Sequence, residues 1–140
     1  MAVEWFKATI AGETWPVILG TAEEFPQLEE EWGHTDRARR RILIGSPISS
    51  ALARLVAVHE IFHATFSQPG EDQLFAHMCG VDAAKWLDIE EALIVILAQK
   101  LVMAGAGGGL LFHIPPLPEE CVADTAAPFC VTKPMKRRSR

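Results

Sequence analysis

His59-Glu60-Ile61-Phe62-His63 lies inside an apolar stretch running from Ser49 to Phe66, and no other feature constrains the fold as much. Residues four apart stack one turn above each other on a helix, so the two imidazoles point the same way and can share one zinc ion. Glu60 then stands beside the metal as the natural base. At about 100° per residue, His59 and His63 share a face with Leu52, Leu55, Val56, Phe62 and Phe66, whereas Ser50, Arg54, Ala57 and Glu60 lie elsewhere. The histidines therefore belong to the buried stripe. An unpaired polar ring in such a place costs about 1–3 kcal/mol, and one metal ion satisfies both rings together. The simpler alternative is a core helix whose histidines bond backbone or carboxylate groups.

A chain of 140 residues, 49% of them hydrophobic, forms one domain with a real core but not two. No run reaches the roughly 18 apolar residues of a membrane span: Ala92 to Ala98 is broken by Gln99 and Lys100, and Leu101 to Phe112 is glycine-rich. The N-terminus, Met-Ala-Val-Glu-Trp, has neither the basic start nor the apolar core of a secretion signal, so a cytosolic protein is expected. Cys79, Cys121 and Cys130 are odd in number and match no zinc-knuckle or disulfide spacing, so they read as free thiols. The net charge is −5, yet the basic residues gather in two clusters, Arg37 to Arg41 and Lys133 to Arg140. Without interleaved aromatics these read as solvated charge, and nucleic acid is not an expected partner.

Along the chain, Val3 to Ile10 and Thr14 to Leu19 read as a hairpin across Ala11-Gly12-Glu13. Thr21 and Glu24 have the form of a capping box, which predicts a helix from Ala22 to Trp32 with Pro26 in its first turns. Arg39 to Gly45 predicts a strand whose charged start suits a sheet edge. Ser49 or Ser50 can cap the histidine helix, which runs to about Phe66. Glu71 to Trp86 predicts short helices broken near Gly80, and Asp88 can cap a last helix from Ile89 to about Ala104. Residues 1–109 form the domain. Leu110 to Arg140, with five of the nine prolines, reads as an extended or partly disordered tail with a basic end.

Two histidines are too few for a catalytic zinc site, which takes three protein ligands and keeps one position open. The metzincin spacing would need Gly and His where Phe66 and Pro69 stand, which leaves a downstream glutamate, Glu90 or Glu91. The order of strand, HEIFH helix, short connection and EEALIVILAQKL helix, over residues 36–104, resembles the minimal gluzincin metallopeptidases, including the small zincin-like proteins of bacteriophage genomes. The resemblance implies an α+β, zincin-like fold: a small twisted sheet packed on the HExxH helix, with a second helix bringing the glutamate. It also implies zinc endopeptidase activity. At helical spacing Glu90 shares a face with Ile94, Leu97 and Leu101, and Glu91 points about 100° away, so Glu90 is the expected third ligand and Glu91 the alternative.

On this reading zinc is held by His59, His63 and Glu90, and Glu60 is the general base. A polypeptide substrate adds as an extended strand along Arg39 to Gly45. Asp88, Glu91 or Asp82 could orient the imidazoles from behind. The chain has no tyrosine to stabilise an oxyanion, which leaves His77 or His113, and less favourably His34 or an Arg. Cys121, Cys130 or His113 could also fold back onto the metal and make the site latent. The alternatives in other classes are a zincin-fold binding module that no longer cleaves, and a structural or assembly protein without metal.

Overall fold

The computed structural model describes residues 1–66, 70–105 and 114–123. Their architecture is α+β, a four-stranded mixed sheet with three helices. β1 (Val3–Ile10) and β2 (Glu13–Gly20) pair antiparallel through a two-residue turn in which Ala11 (φ 50°) and Gly12 (φ 78°) are both left-handed. Such a turn matches the twist of the flanking strands, which is why so short a loop suffices. β2 then pairs parallel with β4 (Arg41–Gly45), and β3 (Gly33–Asp36) closes the sheet antiparallel to β4, giving the order β1-β2-β4-β3.

β4 is therefore an inner strand, contrary to the edge that its arginines suggest. Both rows of its backbone groups are used, one by β2 and one by β3. Its side chains are covered too. Ile42 and Ile44 join Val17 and Leu19 against Ala53, Val56 and Ala57 of α1 (Ser50–Phe66), while Leu43 is fully buried on the other face, where the 3-10 turn Pro26–Glu29 packs. Burial on both faces explains an unbroken apolar run, and each such side chain contributes about 1.5–3 kcal/mol. The arginines are neutralised locally: Arg39 and Arg41 meet Asp36 at 3.3 and 2.9 Å, and Arg40 meets Glu13 at 2.7 Å. Burial raises the Asp36 carboxyl, but side-chain bonds from Arg41 and Arg39, the backbone bond from Arg39 N and the charge of Arg41 outweigh it and leave the group below its ordinary range.

The helix expected over Ala22–Trp32 does not form. Its capping box does, with Thr21 N donating to Glu24 Oε2 at 3.0 Å, but Phe25 is extended (φ −133°, ψ 96°) because it precedes Pro26. A 3-10 turn follows, and the chain then enters β3. Helix α1 matches its expected span and is capped by Ser49, whose Oγ accepts Leu52 N at 3.3 Å. α2 (Glu71–Met78) and α3 (Ala83–Gly105) pack together across the turn at left-handed Gly80, with Phe75 stacked on Trp86. α3 begins six residues before the expected Ile89, since Asp82 rather than Asp88 caps it, accepting Lys85 N at 2.7 Å.

The described part of the C-terminal segment is extended but not detached. Trp5 Nε1 donates to the carbonyls of Pro115 and Pro116, Arg54 donates to Ile114 O, and Val122 bridges Ile48. Ile114 and Cys121 join the core beside the start of α1. Among the described residues no helix is long and apolar enough to cross a membrane.

Candidate metal centre

The site lies where α1 and α3 pack. α3 presents Trp86, Glu90, Ile94 and Ala98, spaced four apart, as one buried stripe. α1 presents His59 and His63, both buried, with ring centroids 4.7 Å apart. Two ring nitrogens converge: His59 Nε2 and His63 Nε2 are 3.0 Å apart. The Glu91 carboxylate spans them, Oε1 lying 3.3 Å from His59 Nε2 and Oε2 lying 2.8 Å from His63 Nε2.

The carboxylate that faces both Nε2 atoms is thus that of Glu91, the alternative, rather than that of the expected Glu90. Glu90 is on the buried stripe as its spacing indicates, yet that places it behind the ring, with Oε1 3.2 Å from His63 Nδ1. Glu91 sits one residue around the helix, at the border of the interface, and its side chain keeps 16% exposure against 3% for Glu90. A metal that must keep a position open for water needs a ligand at that border. Burial alone would raise the Glu91 carboxyl, but hydrogen bonds to His59 and His63, and their charge, outweigh it and hold the group at about 2. Glu91 is therefore an ionised acceptor at neutral pH.

These donors fit a metal. Glu90 Oε1 lies at His63 Nδ1 while His63 Nε2 faces a carboxylate oxygen and a second imidazole nitrogen, so a neutral ring with its proton on Nδ1 would turn the Nε2 lone pair toward both. Three lone pairs meeting at such distances repel unless a cation or a proton lies among them. One donor atom from each of His59, His63 and Glu91 falls within 4.8 Å of the others, the N and O set that zinc prefers.

Glu60 occupies the side of α1 facing β3 and is also buried. Thr35 Oγ1 donates to Glu60 Oε2 at 2.6 Å. The strand comes this close because residue 33 is glycine: a Cβ there would lie 2.5 Å from Val56 Cγ1, 2.8 Å from Glu60 Cγ and 3.0 Å from Glu60 Oε1. From the next turn Arg37 donates to His63 O at 2.8 Å, tying the end of the sheet to α1. Sequence reasoning missed Gly33 and Thr35. Their strand is four residues long and carries no alternation, so only the pre-proline break at Phe25 signalled that the chain was free to extend here.

Among the described residues, the candidate histidines His34 and His77 do not join the site. His34 neighbours Gly33 and Thr35, which face α1, so its side chain leaves the sheet on the other face and meets Glu31 at 3.2 Å. That hydrogen bond raises the His34 pKa. His77 is exposed on α2, and His113 lies outside the described residues, as does Cys130. Cys121 packs at the opposite end of α1, where its carbonyl accepts Ile48 N, so it is no candidate to block the metal. Of the residues considered for orienting the imidazoles, Asp82 is spent as a cap and Asp88 is exposed. The carboxylate found at an Nδ1 is that of Glu90.

Compared with known proteins, the chain matches no family model, no curated protein and no solved structure. What the centre does must be argued from its own geometry.

Proposed function

We propose that the protein is a zinc-dependent peptide hydrolase of the gluzincin type, with His59, His63 and Glu91 as metal ligands and Glu60 as general base. The observation that carries this reading is the convergence of both Nε2 atoms and one ionised carboxylate at the border of a helix interface. When bound, zinc acidifies a water molecule and polarises a carbonyl oxygen, the two things amide hydrolysis needs.

The chain's own residues supply the rest. Thr35 engages Oε2 of Glu60 and leaves Oε1 to take the proton of the attacking water, whose oxygen bonds to the peptide carbon. Glu60 returns that proton to the amine as the carbon–nitrogen bond breaks. The substrate lies along β3, the edge strand, and not along Arg39 to Gly45. Gly45 N donates to Trp32 O at 2.8 Å, so by the alternation of antiparallel pairs His34 and Asp36 bond to β4 while the N–H and C=O groups of Gly33 and Thr35 turn outward. An extended peptide pairing with those groups runs past Glu60, the side chain that both residues flank.

The test is turnover of an unstructured protein. Zinc-loaded protein is expected to cleave casein, to lose all cleavage in 1,10-phenanthroline and to regain it on adding zinc. Zinc uptake without cleavage would leave a zincin-fold binding module in its place.

A further inference from the structure

Consecutive carboxylates on α3 take opposite sides of one ring. Glu91 Oε2 faces His63 Nε2 at 2.8 Å and Glu90 Oε1 faces His63 Nδ1 at 3.2 Å, so the imidazole is gripped at both nitrogens by neighbours in sequence. We infer that Glu90 is a positioning residue for the metal site: it fixes the His63 proton on Nδ1 and the ring plane, and so aims Nε2 at the metal position. This rests on the metal reading above and assigns Glu90 a part that ligation does not.

Three observations carry it. The first is place: Glu90 reaches the nitrogen on the far side of the ring from His59 Nε2, which excludes it from the point where both Nε2 atoms meet. The second is burial. At 3% exposure a carboxylate in the apolar stripe of Trp86, Ile94 and Ala98 is costly, and an aliphatic residue there would complete the helix contact at no such cost. The third is asymmetry. His59 Nδ1 is buried with no hydrogen-bond partner among the described residues, so no carboxylate holds that ring from its Nδ1 side. His63 is the fixed half of the pair, and the site depends on Glu90 for the only imidazole so held. A carboxylate accepting from the distal nitrogen of a metal-bound histidine fixes its tautomer and raises its basicity, and losing it commonly weakens metal binding about 10–100-fold.

The test uses the full chain and two probes, zinc and cobalt ions, without any substrate. Glu90→Gln keeps the shape and one acceptor oxygen but drops the charge. It is expected to bind zinc about 10–100-fold more weakly than the native chain, while the visible spectrum of its cobalt form keeps the native band positions and intensity because the ligands are unchanged. Glu90→Asp, which keeps the charge with a shorter reach, is expected to fall between the two in zinc affinity and serves if the Gln variant does not fold. Glu91→Gln, by contrast, is expected to change the cobalt spectrum itself. The inference is overturned if both Glu90 variants bind zinc as tightly as the native chain, or if their cobalt spectra change as that of Glu91→Gln does. If the native chain takes up neither ion, the reading under the previous heading fails, and this one fails with it.

Discussion

Replacing Glu60 with Gln is expected to lower casein turnover by roughly 10²–10⁴-fold while leaving zinc content unchanged. The two parts of that result follow from where the side chain lies. Glu60 is on the β3 side of α1 and touches Thr35, whereas the atoms proposed as ligands meet on the α3 side, so on that proposal its carboxylate takes a proton without holding the metal. The amide matches the carboxylate in size and still accepts from Thr35. It cannot take a proton from water at neutral pH. The measurement is the rate of casein cleavage beside zinc content per chain. A variant that cleaves within a few-fold of the native protein would remove Glu60 from the chemistry, and one that loses zinc would make it a ligand.

Gly33→Ala is expected to destabilise the fold by about 1–3 kcal/mol and to depress turnover as well. The added Cβ would meet Val56 Cγ1 at 2.5 Å and Glu60 Cγ at 2.8 Å. Val56 is fully buried and β-branched, so it has little room to turn away, and the strain falls on the strand or on Glu60. Either movement lengthens the bond from Thr35 and misplaces Oε1. Thermal melting of the zinc-loaded variant, read together with casein cleavage, checks both effects. An unchanged melting temperature would show that β3 and α1 do not approach as closely as described.

The main outline was legible in the sequence wherever one signal acted alone. The hairpin follows from alternation around Ala11-Gly12, and α1 follows from its apolar stripe with Ser49 as cap. Where two signals competed, sequence reasoning took the wrong one. The capping box at Thr21 is real, but Pro26 forces Phe25 into an extended conformation and stops the helix before it starts, which hid β3. The arginines of Arg39–Gly45 resembled an edge, yet Asp36 and Glu13 neutralise them, and the strand is interior. Asp88 resembled a cap, but Asp82 six residues earlier does that work.

The third ligand was the hardest to read. Helical projection placed Glu90 on the buried face, and that placement is right. The carboxylate that faces both Nε2 atoms, however, is that of its neighbour Glu91. Burial marks the centre of the α1–α3 contact, whereas the carboxylate facing both Nε2 atoms comes from its rim, where Glu91 projects. Nothing in one sequence tells centre from rim for two adjacent glutamates. The distinction needs the packing of the two helices and the plane of His63, which only the folded chain supplies.

The most direct test of the whole account is a zinc titration of the metal-free native protein beside Glu91→Ala. One zinc ion per native chain, with binding lost in the variant, is the expected result. A native chain that takes up no zinc, or a Glu91→Ala chain that binds it as tightly as the native one, would contradict the site at its centre.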